Sequence, residues 1–510
     1  MRRAHLLLFL LLLAAVGADA FTAGTPCRIA NGNMSLFVSD ASLSDPARVL
    51  LWPETAVAAQ RWRVSMTDSV AVFSNAYTGA FLTVKGGKRP GASVIQSNIP
   101  TALRDWFLKA VPGEADRYLV YTYCKDYGNL YLAAADGVEP MLVSEADTAS
   151  SSVCWTIADA PVPLAFDASV RDAMLQGFLT QYYHEAPGGH ILGKGGWWED
   201  AEMFETILDA YETTGDETYR TCFNELCNNF VRRNGTDWSY NRYNDDITWM
   251  VLATIRAYRF WGTDDYRRYA KENFDRMYRR AKVYPHGMLR WCEGVESTNS
   301  CINGPAIIAA TYLYEISEDA TYLSEAVATY EGQRSRLLDT ATGRVYDCGK
   351  WTDGVFSVTN SWCSTYNQGT MLGAAIRLYQ ITGERQYLDD AEKIWAYSHD
   401  HLTNGDRLVH VCQVVDGDLC GFKGIFMRYA RHYAEGLDHP EVFDWIRLNA
   451  FHAYQNRNAA GVSWSKWLTK TAEDLCDGNK DVTDNAFGAS TAVSAAVNAF
   501  PCVAGKRQNP

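Results

Sequence analysis

Beyond its first twenty residues the chain lacks any long apolar run, and nothing there approaches the roughly 20 apolar residues that a membrane helix needs. It also lacks a basic excess. Lys and Arg number 47 against 60 Asp and Glu, and the net charge of −13 with a pI near 5.3 argues against nucleic acid as the main partner. No glycine-rich phosphate loop and no nucleophile-elbow serine is present. His184, His190 and His286 show no metal-ligand spacing, so no metal and no cofactor is expected. The polar end VAGKRQNP lacks the apolar tail of a lipid-anchor signal, so no membrane anchor is expected.

What is present points outward from the cell. MRRAHLLLFLLLLAAVGADA places two arginines before an apolar run and ends in the small-x-small triplet Ala18, Asp19, Ala20. This reads as a signal peptide over residues 1–20, and the mature chain is expected to be secreted. Thirteen cysteines suit an oxidising compartment. Asn33 and Asn234 open N-x-Ser/Thr sequons and are glycosylation candidates. Aromatics make up 13% of the chain, sixteen of them tryptophan, and such flat apolar faces serve both cores and sugar binding. The length exceeds one ordinary core, so two domains are expected; a monomer is assumed.

Residues 21–160 hold a threefold repeat. MSLFVSD (34–40), GAFLTVK (79–85) and NLYLAAA (129–135) are short strand patterns behind turns. Phe37, Leu82 and Leu132 precede Trp62, Trp106 and Trp155 by 25, 24 and 23 residues. Three similar β-units, each giving one tryptophan to a shared core, read as a β-trefoil. The Gln60-Arg61-Trp62 element resembles the Q-x-W motif of ricin-type lectins, which implies a lectin-like domain.

After Pro161 and Pro163 the pattern turns helical. Five joints share an aromatic residue, an acidic or glycine turn and a new helix: YETTGDETY, FWGTDDY, YEISEDATY, YQITGERQY and YAEGLDHPEVF. Twelve helical segments in six hairpins predict an (α/α)6 barrel over 165–502, so the fold class is multidomain, all-β followed by all-α. The joints inside hairpins are short. Those between hairpins are long (185–197, 232–244, 281–302, 339–366, 402–420, 456–484), and alternation puts them all at one end. Three cysteine pairs each share one long loop, Cys292 with Cys301, Cys348 with Cys363 and Cys412 with Cys420. They are expected to be disulfides that staple that face.

At this face the stretch YNDDITWM (243–250) sets Asp245 and Asp246 side by side where a long loop enters an inner helix. Acids in a first helical turn are commonly caps. Here they also sit at a barrel mouth among Tyr240, Tyr243 and Trp249, and glycoside hydrolysis needs two carboxyl groups in different protonation states. The helix N-terminus favours an ionised nucleophile, while the neighbouring carboxylate raises the pKa of the acid.

YNDD followed by tryptophan resembles the catalytic motif of glycoside hydrolase family 76, the endo-α-1,6-mannanases and related fungal cell-wall proteins. WWEDAEM (197–203), CINGPAI (301–307), TYNQGTMLGA (365–374) and GIFMRYA (424–430) match further blocks in order. The resemblance implies an α/α barrel, a retaining mechanism without metal, Asp245 as nucleophile and Asp246 as acid/base, with α-1,6-mannan or a mannose-containing wall glycan as partner. It also suggests substrate contacts from Trp198, Tyr243, Asn244, Asn303, Tyr366, Asn367 and Gln368, for which packing and capping are the competing roles. Transglycosylation by the same aspartates, or sugar binding without turnover, stand as alternative functions.

Overall fold

The computed structural model describes residues 21–39, 45–53, 58–99, 101–114, 116–135, 139–145, 151–160, 166–284, 287–404 and 407–503. The expected signal peptide lies outside them. The chain divides into two compact units, 1–165 and 166–510. Among the described residues no helix is long and apolar enough to cross a membrane.

The first unit is one antiparallel sheet of twelve strands: β1 (Pro26–Asn31), β2 (Met34–Val38), β3 (Ala47–Pro53), β4 (Trp62–Thr67), β5 (Val70–Asn75), β6 (Phe81–Val84), β7 (Val94–Ser97), β8 (Phe107–Ala110), β9 (Arg117–Cys124), β10 (Gly128–Ala135), β11 (Glu139–Ser144) and β12 (Cys154–Asp159). Alternation of buried and half-buried residues along β5 and β9 turns one face inward. The three repeat tryptophans are fully buried, and their indoles donate to the carbonyls of Leu36, Leu82 and Leu132 at 3.0, 3.0 and 2.8 Å. Gln60 is spent inside the unit, donating to the Pro53 carbonyl at 2.7 Å. The expected ricin-type β-trefoil lectin is corrected here. β1 pairs with β4 as well as with β12 and β2, so the sheet closes on itself and the unit is a closed β-barrel. Periodicity showed that three strand sets share a core, but which strands meet at the seam depends on pairings remote in sequence.

The second unit has twelve α-helices among its described residues: α1 (Ala168–Tyr182), α2 (Trp198–Thr214), α3 (Glu217–Asn234), α4 (Asn244–Trp261), α5 (Asp264–Ala281), α6 (Ser300–Ser317), α7 (Ala320–Arg334), α8 (Thr365–Thr382), α9 (Arg385–His401), α10 (Phe422–Gly436), α11 (Glu441–Gln455) and α12 (Ala486–Asn498). Helices α2, α4, α6, α8, α10 and α12 each pack on the next, and α12 packs on α2, which closes an inner ring. The others lie outside it. Within hairpins, Gly215, Gly262 and Gly383 end α2, α4 and α8 at φ 70, 66 and 71°, a left-handed cap that lets the chain reverse in one turn. Asp216 then caps α3 through the Thr218 amide at 2.8 Å. The N-termini of α2, α4, α6, α8, α10 and α12 therefore all receive the long loops.

Those loops carry no staples. All thirteen cysteines are free, so the expected bridges Cys292–Cys301, Cys348–Cys363 and Cys412–Cys420 are corrected. The sulfurs have other partners. Cys301 donates to Asp245 at 3.2 Å, Cys292 takes the Arg242 guanidinium at 3.2 Å, Cys348 lies 3.4 Å from the Thr359 hydroxyl, and Cys420 meets the Asn485 amide at 3.6 Å. Cys363 and Cys412 are largely covered thiols pushed up to about 12 and about 11 by burial. Polar ties hold the loops instead; Arg280 reaches the carbonyls of Ser239 and Asn241 and the Asn244 side chain at 2.6, 2.6 and 2.7 Å.

Inside the ring lies a buried charge cluster. Helix α2 contributes Glu202, Glu205, Asp209 and Glu212, four acids spaced along one face. Arg256 of α4 reaches Glu205, Asp209 and Glu212 at 3.1, 2.7 and 3.0 Å. Arg428 of α10 reaches Glu202, Glu205 and Asp209, each at 2.8 Å, and Arg431 pairs with Glu212. Burial pushes Asp209 up, yet the facing Arg428, Arg256 and Arg431 win and hold it down to about 2. Burial raises Glu202 to about 7 against Arg428. Removing one arginine strands buried charge, so Arg428→Met is expected to cost about 3–5 kcal/mol in urea unfolding. Glu202 titrates higher folded than unfolded, so its contribution is full below about 4.5 and is lost as pH rises through about 7. Glu202→Gln should flatten the stability–pH curve in that window; an unchanged curve would contradict the assignment.

Candidate active site

Asp245 and Asp246 occupy the first turn of α4, behind Tyr243 at the cap position. The preceding loop is locked in place. The Asn244 amide donates to the Trp291 carbonyl at 2.9 Å, its side chain donates to the Arg290 carbonyl at 2.9 Å, and Tyr243 bridges Cys292. That clamp aims Trp291 at the aspartates. Its indole donates to Asp245 Oδ2 at 2.9 Å, and the Cys301 thiol, from the first turn of α6, donates to the same oxygen at 3.2 Å. Asp245 Oδ1 is buried without a hydrogen-bond partner. Asp246 Oδ2 accepts from the Asn241 amide at 2.9 Å.

Both aspartates line a cavity of about 600 Å³ with Trp198, Tyr243, Trp249, Trp291, Cys301, Trp362, Tyr366 and Phe422. Asn299, Asp347, Asn360 and Asp418 add hydrogen-bonding groups between the aromatic walls, and Leu419 completes the lining. Tyr366 stacks on Phe422 at 3.8 Å between ring centroids. The Trp198 indole donates to Asp418 at 3.1 Å and its ring meets Phe487 edge-on at 4.7 Å. Tyr243 and Trp362, 38% and 40% exposed, leave open faces at the rim. An apolar wall with a few placed polar groups suits a sugar, whose ring faces stack and whose hydroxyls need partners.

Electrostatics separate the two acids. Burial lifts Asp245 to about 6, opposed by the hydrogen bonds from Cys301 and Trp291. Burial and then the charge of Asp245 lift Asp246 to about 8, opposed by Asn241. The helix N-terminus alone would hold Asp245 low; removal from water outweighs it. Between these values one carboxyl is ionised and the other protonated, and the pair titrates as a unit.

Of the sequence-predicted contacts, Trp198, Tyr243 and Tyr366 reach the cavity wall. The amides lie behind it. Asn303 accepts from the Leu289 amide at 3.0 Å and donates to the Asn299 carbonyl at 2.8 Å. Gln368 donates to the Ser398 hydroxyl at 2.9 Å and accepts from the Val345 amide at 2.5 Å. Asn367 donates to Asp347 at 3.0 Å, and Asn244 accepts from Arg280 at 2.7 Å. Asp347, Asn360 and Asp418 were not singled out, because single polar residues in long loops give no periodic signal. Asn33 is exposed in the turn after β1, whereas the Asn234 side chain donates to the Phe230 carbonyl and accepts from the Tyr240 hydroxyl, at 3.1 and 2.8 Å.

A paired-carboxylate cavity at the mouth of an α/α barrel defines a glycoside hydrolase. The sequence pattern of glycosyl hydrolase family 76 matches residues 168–504, and the chain belongs to that family. It is 24% identical over 339 residues to the mannan endo-1,6-alpha-mannosidase DCW1 of Eremothecium gossypii, covering 58% of this chain and 74% of that protein. The GH76A alpha-1,6-mannanase of Salegentibacter sp. HEL1_6 superposes with a TM-score of 0.57 at 29% identity, over 65% of this chain and 99% of that one. An inactive double-aspartate variant of that mannanase, 28% identical to this chain, is known in complex with alpha-1,6-mannotriose, with the same TM-score and coverage. Dfg5 from Chaetomium thermophilum, 17% identical with a TM-score of 0.55 over 68% of this chain and 96% of that one, shares the fold.

Because Asn241 favours the ionised form of Asp246, Asn241→Ala is expected to move the basic limb of the activity–pH profile upward. An unmoved or lowered limb would show that Asn241 does not tune this acid.

Proposed function

We propose that this chain is an endo-acting hydrolase that cleaves internal α-1,6-mannosidic bonds of mannan with retention of configuration. The observation that carries the reading is the carboxyl pair of unequal acidity, about 6 and about 8, inside an aromatic-walled cavity. Asp245 attacks the anomeric carbon through a lone pair. The glycosidic C–O bond breaks toward the leaving oxygen, which takes the proton of Asp246. Asp246, now ionised, removes a proton from water; the water oxygen attacks the glycosyl ester, and Asp245 leaves as carboxylate. Neighbouring positions on one helix turn suit the short separation, about 5–5.5 Å, that retention requires. Tyr243 and Trp362 at the rim, and Trp198 in the wall, offer faces for successive mannose rings. The leader pattern over residues 1–20 supports secretion.

With unbranched α-1,6-mannan, α-configured oligosaccharides should appear first by NMR. Asp245→Asn should lower kcat by about 10³-fold or more. kcat/KM should rise as Asp245 ionises through about 6 and fall as Asp246 loses its proton through about 8. First-formed β-products, or wild-type turnover by Asp245→Asn, would refute the mechanism.

A further inference from the structure

We propose that Cys301 is a positioning residue for Asp245: its thiol and the Trp291 indole together fix the rotation of the carboxyl group in the cavity wall. The inference rests on the reading of Asp245 as nucleophile. A carboxylate has two equivalent oxygens, and rotation about its last bond exchanges them unless something distinguishes them. Here two donors from separate elements converge on Oδ2, at 2.9 and 3.2 Å, while Oδ1 is buried, so the two oxygens are no longer equivalent.

The thiol is itself held. Cys301 is 4% exposed, in the first turn of α6. It shares the cavity wall with Tyr366, which stacks on Phe422 at 3.8 Å. Asp245, Cys301, Tyr366 and Phe422 thus stand near the N-termini of α4, α6, α8 and α10, four consecutive members of the inner ring. A thiol is also a weak donor, so it can orient a carboxylate while quenching little of its nucleophilicity.

The test compares Cys301→Ala and Cys301→Ser with the wild-type full chain on α-1,6-mannan. Cys301→Ala should lower kcat by about 10- to 100-fold with KM little changed, the loss of one hydrogen bond to a charged group. It should also move the acidic limb of the pH profile upward, because the donor favours the ionised form. Cys301→Ser restores a donor and should keep kcat within a few-fold, with the limb unmoved or lowered. A fluorinated α-mannosyl inactivator that traps the glycosyl ester, read by peptide mass spectrometry, separates the two levels of failure. Label on a residue other than Asp245 removes the nucleophile reading and this inference with it. Label on Asp245, with Cys301→Ala reacting at the wild-type rate and pH profile, overturns the inference alone. A disulfide at Cys301 in the active protein would overturn it as well. Should Cys301→Ala fail to fold, Cys301→Ser decides: an acidic limb moved upward refutes the role.

Discussion

The barrel exists because its first and last inner helices meet. α2 begins at Trp198 and α12 ends at Asn498, and their contact turns a row of hairpins into a ring. Apolar packing supplies the driving force but is tolerant of sliding. The buried charges are not. Asp209 accepts from Arg256, Arg428 and Asn498 at 2.7, 2.8 and 3.0 Å, which joins α2 to α4, α10 and α12 at one level. Burying ions is costly, and such clusters contribute little net stability. Their value here is register, since a slide of one helix would strip several charges of partners at once.

Register at that level sets geometry at the mouth. The four acids of α2 lie deeper along the helix than its first turn, whereas Asp245, Cys301 and Tyr366 sit in the first turns of α4, α6 and α8. Rigid inner helices carry the alignment from one level to the other. The loops then add what the helices cannot reach: Trp291, Asn299, Asp347, Asn360 and Asp418. They are tied down by hydrogen bonds to helix starts, as when the Ser300 amide meets the Asp347 carbonyl at 2.8 Å.

The helical part was legible in residue patterns. Aromatic–turn–aromatic joints located the hairpins, because a left-handed cap and an acidic N-cap are local requirements. The loop-length asymmetry located the end where the cavity opens, and the adjacent aspartates located the carboxyl pair that lines it. The fold of the first unit was less legible. Tryptophan spacing gave three units around one core, but the β1–β4 seam that closes the barrel joins strands by backbone bonds that no side-chain pattern encodes. The cysteine pairs misled because sharing a loop does not bring two sulfurs together. The amides at the helix starts are spent elsewhere: Asn303 and Gln368 hold the backbone of neighbouring segments, a role that composition does not distinguish from sugar binding.

By itself the sequence determined which helices exist, that two carboxyl groups stand side by side, and at which end of the bundle the cavity opens, since all three follow from short-range pattern. Only the tertiary structure decided how the two carboxyls differ. Asp245 and Asp246 are identical side chains one position apart, and the helix dipole treats them alike. What separates them is burial, the donors from Trp291, Cys301 and Asn241, and their mutual repulsion. Trp291 and Cys301 come from elements more than 40 residues away in the chain. Energies that depend on distance in space cannot be read from distance along the sequence.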